Sequence, residues 1–207
     1  IKILTAHRGW ILAISWSSCG QYLASGDSEG QVCIWGRQGD LLANHNGHKK
    51  WITYLSWEPV LTSPRLISAS KDATCRIWSI SRVGCDTCMS HADSVTSVKW
   101  LDDGRIISVS HDRTLKLWKS SGELIKSFNV HSHWINAVAT NMDFKNRVAG
   151  DSDMLKKIRT PSVLKIATCS DDKTVGFLDA DSSEFTKLVG HQAVVNHVSF
   201  SPNGEYL

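Results

Sequence analysis

"SASKDATCRIW", residues 68–78, holds the pattern that decides the fold: an apolar run, a turn of Ser, Lys and Asp, then a second run closing on tryptophan. The same device returns as "SVSHDRTLKLW" at 108–118 and, in altered form, as "ASGDSEGQVCIW" at 24–35. Ahead of each stands a histidine-led run: "HKKWITYLSW" (48–57), "HADSVTSVKW" (91–100) and "HRGWILAISW" (7–16). Short runs rich in Val, Ile, Trp and Cys, alternating and broken by Gly, Asp and Ser, have the period of strands. In the second unit four strands are expected near 51–57, 65–69, 73–78 and 84–89, with "LTSP" and "SKDA" as turns.

The leading histidines are His7, His48, His91, His131 and His191, so a unit recurs about every 40 residues. The fourth interval is longer because residues 141–162 interrupt its unit. Glu29, Asp72 and Asp112 precede Trp35, Trp78 and Trp118 by the same spacing, and that register puts Asp172 before Leu178. Residues 1–207 thus read as one all-β domain of four full repeats and part of a fifth.

Composition bounds the rest. A chain of 207 residues that is 42% apolar and 21% charged has material for a sizeable core and reads as a soluble globular protein. Six cysteines are too few for a disulfide scaffold of this length, which favours a reducing compartment. A formal charge of +3 does not announce nucleic-acid binding by itself.

Four-stranded units at this period resemble the blades of WD40 β-propellers, although Gly36, Ser79 and Lys119 follow the tryptophans where that family usually has Asp. Four units and part of a fifth would be a portion of a seven- or eight-bladed ring, so the chain is expected to be part of a longer propeller. The resemblance implies a hydrogen-bonded chain in each blade. In the second unit it would join His48, Ser68 or Ser70, Asp72 and Trp78; in the third, His91, Ser108 or Ser110, Asp112 and Trp118. Glu29 and Leu178 break the pattern, so the first and fourth blades are expected to be held less well by it.

"GCDTCMSH", 84–91, offers Cys85 and Cys88 at Cys-x-x-Cys spacing with His91 beyond. A zinc site needs four ligands, and the other cysteines stand singly on other strands, while the repeat commits His91 to Asp112. The pair therefore reads as small residues on a strand, with no metal and no cofactor expected. The Ser, His and Asp of "SVSHD" suggest a hydrolase triad, yet a triad occurs once, beside an oxyanion hole, and this set recurs in each unit. No catalytic residue is assigned and no enzyme is expected.

Function should then lie on the surface. In this fold the turn before the first strand and the turn carrying Asp open on one face. Three residues after each histidine stand Trp10, Trp51, Ser94, Trp134 and Val194, and the next position is always aliphatic (Ile11, Ile52, Val95, Ile135, Val195) and expected in the core. Trp10, Trp51 and Trp134 with Arg8, Lys49, Lys50 and Lys71 make a basic and aromatic patch suited to an acidic peptide or to RNA. The alternative is that the rings pack over the channel mouth and the lysines are solvated.

"HKKWITYLSWEP", "SASKDATCRIW", "HSHWINAV", the insertion after it and "GHQAVVNHVSFSPNGEYL", in this order, resemble the Notchless family. What the resemblance implies is a nuclear and nucleolar scaffold docking on proteins of the precursor large ribosomal subunit, with ribosomal RNA a further contact. It also implies an amino-terminal ubiquitin-like domain, absent from this chain, that is gripped by the AAA ATPase midasin. A cytoplasmic adaptor, such as a signalling scaffold or a ubiquitin-ligase substrate receptor, is the other class. In the insertion, "DMLKKI" could form a helical turn with Met154, Leu155 and Ile158 on one side, leaving Lys156, Lys157 and Arg159 to meet phosphate.

Overall fold

The computed structural model describes residues 2–82, 84–141, 164–179, 184–201, 204 and 206–207. The first blade is β1 (Ile11–Trp16), β2 (Tyr22–Asp27), β3 (Gln31–Gly36) and β4 (Leu41–Asn46). The second is β5 (Ile52–Trp57), β6 (Leu66–Ser70), β7 (Thr74–Trp78) and β8 (Cys85–Ser90). The third is β9 (Val95–Trp100), β10 (Ile106–Ser110), β11 (Thr114–Trp118) and β12 (Leu124–Asn129). The fourth is β13 (Ile135–Thr140), β14 (Lys165–Ser170), β15 (Thr174–Asp179) and β16 (Phe185–Val189). In each, four strands pair antiparallel in chain order.

The hairpin between second and third strands turns on a residue in the left-handed region: Gly30, Ala73, Arg113 and Lys173, at φ 82°, 68°, 71° and 68°. A side chain is disfavoured there. The turn Asp offsets the strain, since Asp72 Oδ1 accepts the Thr74 N–H at 3.0 Å and the Thr74 hydroxyl at 2.6 Å.

Successive blades bury their facing sides against one another. Val32 and Ile34 of the first blade pack with Ile52, Leu55, Trp57 and Trp78 of the second. Ile67, Ile77 and Met89 meet Val95, Val98 and Trp100 of the third, and Ile107 and Leu115 meet Ile135 and Val138 of the fourth. The aliphatic position expected in the core is buried at Ile52, Val95, Ile135 and Val195, whereas Ile11 is exposed, because nothing in the described residues packs over the outer face of the first blade.

A second connection escaped sequence reasoning. Each innermost strand shifts register near its start, leaving Leu12, Thr53, Thr96 and Asn136 out of the ladder. A bulge re-aims its side chain. Thr53 Oγ1 donates to the Val95 carbonyl at 2.6 Å, Thr96 Oγ1 to that of Ile135 at 2.7 Å and Asn136 Nδ2 to that of Val195 at 2.9 Å, each reaching the next unit. Leu12 has nothing to donate.

The fifth unit lies against the fourth blade through Val195 and Phe200, with no strand assigned among its described residues. The ends of the insertion meet where the Asn141 N–H donates to the Lys165 carbonyl at 3.1 Å. Met154 to Arg159, with the helical turn expected there, lie outside the described residues.

Candidate partner-binding face

The polar set of the second blade is a directed chain. The Trp78 Nε1–H donates to Ser68 Oγ at 2.8 Å, Ser68 Oγ lies 2.7 Å from His48 Nε2, and His48 Nδ1 lies 2.9 Å from Asp72 Oδ2. Burial favours the neutral His48 ring and the ionised Asp72 carboxylate can only accept, so the imidazole proton sits on Nδ1 and Nε2 accepts from the Ser68 hydroxyl. The third blade repeats this through Trp118, Ser108, His91 and Asp112 at 2.8, 2.7 and 2.8 Å. Ser68 and Ser108 are the members. Ser70 and Ser110 instead accept the N–H of Asp72 and Asp112 and stiffen the turn. Buried, and already donating to histidine, Ser68 and Ser108 lack the exposure a nucleophile needs.

The first blade carries the chain despite Glu29, by a route the repeat spacing hid. Asp27, which is in register with Ser70, sends Oδ2 to His7 Nδ1 at 2.8 Å, and its Oδ1 accepts the N–H of both Glu29 and Gln31 at 2.9 Å. One carboxylate thus takes the roles of Ser70 and Asp72 together. Ser25 and Trp35 complete it at 2.6 and 2.8 Å. The weaker hold expected of this blade is therefore not what the geometry shows. In the fourth, His131 reaches Asp172 and Thr168, both at 2.9 Å, and Leu178 leaves the hydroxyl without an indole donor.

Electrostatics follow from burial. Burial pushes the Asp72, Asp112 and Asp172 carboxyls up, and hydrogen bonds from the paired histidine and from Thr74, Thr114 or Thr174 more than reverse this, holding them below the ordinary carboxylate range. Burial pushes His48 and His131 down, and their aspartates offset it only in part.

At the face where these turns open, backbone bonds bring the two turns of each blade together. Ser28, Lys71, His111 and Asp171 donate their N–H groups to the carbonyls of Trp10, Trp51, Ser94 and Trp134. Arg8, Trp10 and Trp51 line one cleft of about 310 Å³ with Gly9, Ser28 and Glu29. The Lys71 ammonium lies 3.9 Å from the Trp51 ring centroid, a cation–π contact. Lys49 and Lys50 are exposed; their backbones serve the turn, the Lys49 N–H donating to Asp72 and the Lys50 carbonyl accepting from Ser70.

Trp134 stands apart from that cleft, stacked on His111 at 4.3 Å with an 8° tilt. His111, Glu29 and Asp171 are face residues that sequence reasoning passed over. The signal was available for His111 and Asp171, which stand, like Lys71, just before the turn Asp. Cys85 and Cys88 lie on β8; Cys85 Sγ meets the Thr87 carbonyl at 2.8 Å, and Cys88 is exposed.

Residues 1–36, 39–79, 85–119 and 182–207 match the family model for the WD domain, G-beta repeat. The chain is 33% identical, over 76% of its length, to Protein Notchless of Drosophila melanogaster, 38% of which is covered. It is 35% identical over 99% of its length to Ribosome assembly protein 4 of Saccharomyces cerevisiae, with 46% covered. Likeness to Nuclear distribution protein nudF of Aspergillus niger is 25% over 98%, with 57% covered. The chain spans less than half the length of the first two relatives. With four sheets of four strands in chain order and the family model matching most of its length, the chain belongs to the WD40 repeat family.

Proposed function

We propose that this chain is the docking portion of a scaffold that binds proteins of the precursor large ribosomal subunit, in the nucleus and nucleolus, without catalysing a reaction itself. The observation that carries the reading is the likeness to Ribosome assembly protein 4 along 99% of the chain. The exposed Trp10 and Trp51, with Lys71 and the neighbouring Lys49 and Lys50, supply an interface anchor of the usual kind. Ribosomal RNA is a further contact this face could make, and a midasin-type ATPase would act only through a domain outside this chain. Likeness to nuclear distribution protein nudF, a relative whose name does not point to ribosome assembly, keeps a second reading open, a cytoplasmic adaptor.

Trp51→Ala in the full-length protein should weaken co-sedimentation with precursor large subunits by about tenfold or more, equivalent to about 1.4 kcal/mol. Its melting temperature should stay close to the parent's. Charge reversal at Lys49 and Lys50 should give a smaller, salt-dependent loss. Normal association of the Trp51 variant would remove this face from the contact, and absence of the parent from the particles would favour the adaptor.

A further inference from the structure

Glu29 holds the register position at which the second, third and fourth blades keep their structural aspartate, and Asp27 has taken that work. Its carboxylate is left on the partner-binding face, exposed and in no ion pair among the described residues. Two glycines hold it there. A Cβ at Gly9 would lie 2.9 Å from Glu29 Cγ, so the glutamate stem runs directly across that backbone, and a Cβ at Gly30 would lie 2.6 Å from the His48 carbonyl, so the turn is seated against the second blade. Glu29 lines the cleft that Trp10 and Trp51 line, and with Arg8 it also borders a neighbouring cavity beside Gln31 and Asn44. Lys71 covers Trp51 without lining that cleft, which shows the indole already receiving an ammonium ion within the chain.

We propose that this cleft takes an arginine side chain of a partner protein, the guanidinium lying on the indoles and forking onto Glu29. A planar cation that stacks and presents paired donors suits two indoles and one carboxylate better than an anion does. The lysines at Lys49, Lys50 and Lys71 then meet acidic groups beside that arginine, so the face is bipolar where the sequence suggested a basic and aromatic patch. Arg8 lines the same cleft and opposes the incoming charge. The inference deepens the docking reading above and rests on it for the identity of the partner, though not for the chemistry of the cleft.

The test is titration of the full-length protein by calorimetry with the peptide acetyl-Gly-Gly-Arg-Gly-Gly-amide and with its Gln and Lys counterparts. Expected are binding of the Arg peptide at least about tenfold tighter than the Gln peptide, and a loss of similar size in Glu29→Gln and in Trp10→Ala. Arg8→Ala should tighten binding by a few fold, the opposite of what a site for acidic groups would show. Near-ultraviolet circular dichroism of each variant separates a lost site from a lost fold. The Arg and Gln peptides binding alike, an unaltered Glu29→Gln, or weaker binding in Arg8→Ala with the fold intact would each overturn the proposal. A Trp51→Ala loss of particle association without Arg over Gln discrimination would sink the cleft and leave the docking reading. Discrimination with unaltered particle association would do the reverse.

Discussion

Ile14 and Leu55 occupy one register position of two successive blades, as do Ile11 and Ile52, and Trp16 and Trp57. The first-blade residues are 70%, 53% and 56% exposed; their second-blade counterparts are 4%, 0% and 5%. The strands and the hydrogen-bonded chain are alike in the two blades. Burial therefore belongs to the neighbour, while strand pairing and the Trp, Ser, His and Asp chain belong to the unit. The second blade buries these residues against Val32 and Ile34; the first has no such partner among the described residues. Leu55→Ala should accordingly lower stability by about 2–5 kcal/mol through lost transfer energy and a residual cavity. Ile14→Ala should stay within about 0.5 kcal/mol in this chain. Equal shifts in urea denaturation would break the division.

The next effect tests whether the first blade has an equivalent device. Asp72→Ala leaves the buried His48 proton and the Thr74 N–H unsatisfied, at about 1–3 kcal/mol. Asp27→Ala should cost at least as much, since one carboxylate serves His7, Glu29 N and Gln31 N together. Glu29→Ala should fall within about 0.5 kcal/mol. Thermal denaturation of the three checks it, and a Glu29 variant as damaged as that of Asp27 would return the structural role to Glu29.

What was legible follows the same line. Features internal to a unit could be read from sequence: the strand expected at 51–57 is observed at Ile52–Trp57, and His48, Asp72 and Trp78 meet as the repeat implies. The swap of Asp27 for Glu29 was hidden because equal spacing to Trp35 fixes a backbone register and does not say which carboxylate reaches the histidine. Contacts between units were harder. The bulged Thr53 and Thr96 look like ordinary strand residues, and the stacking of Trp134 on His111 joins two blades, so neither has a signal within one repeat.

His45 sits where the second blade has Met89, and it packs into the next blade, its ring stacked 5.0 Å from Trp78. Both ring nitrogens are buried, and neither makes a well-formed hydrogen bond among the described residues, the Ser79 backbone being only a weak neighbour. Burial lowers its pKa from the ordinary 6.5, offset only in part by the Ser79 backbone and Asp86. The folded-state pKa lies below the unfolded one, so the unfolded chain binds more protons and stability is lost as pH falls below about 6.5. His48 and His131 add to this with the same sign, and the low carboxyls of Asp72, Asp112 and Asp172 add a further loss below the ordinary carboxylate value near 3.8. His45→Met should reduce the fall in melting temperature between pH 7 and pH 5.5. An unchanged pH profile would place the acid sensitivity in the paired histidines alone.

The smallest expected effect concerns the one bulge that lacks a donor. Thr53 and Thr96 each reach the first strand residue of the next blade, Asn136 reaches Val195 of the fifth unit, and Leu12 occupies the same position in the first blade, half exposed. By the repeat geometry a hydroxyl at Leu12 would face the Ile52 carbonyl. A net hydrogen bond of this kind contributes about 0.5–1.5 kcal/mol, and the apolar area given up at an exposed leucine offsets part of it. Leu12→Val, which has the shape of Thr without its hydroxyl, isolates the difference. Leu12→Thr should be more stable than Leu12→Val by about 0.5 kcal/mol in urea denaturation, with an unchanged slope. If the two variants unfold together, the bulge of β1 does not aim its side chain as those of β5, β9 and β13 do, and the seam between the first two blades rests on its apolar core and on the 3.0 Å bond from Trp57 Nε1 to the Ser15 carbonyl.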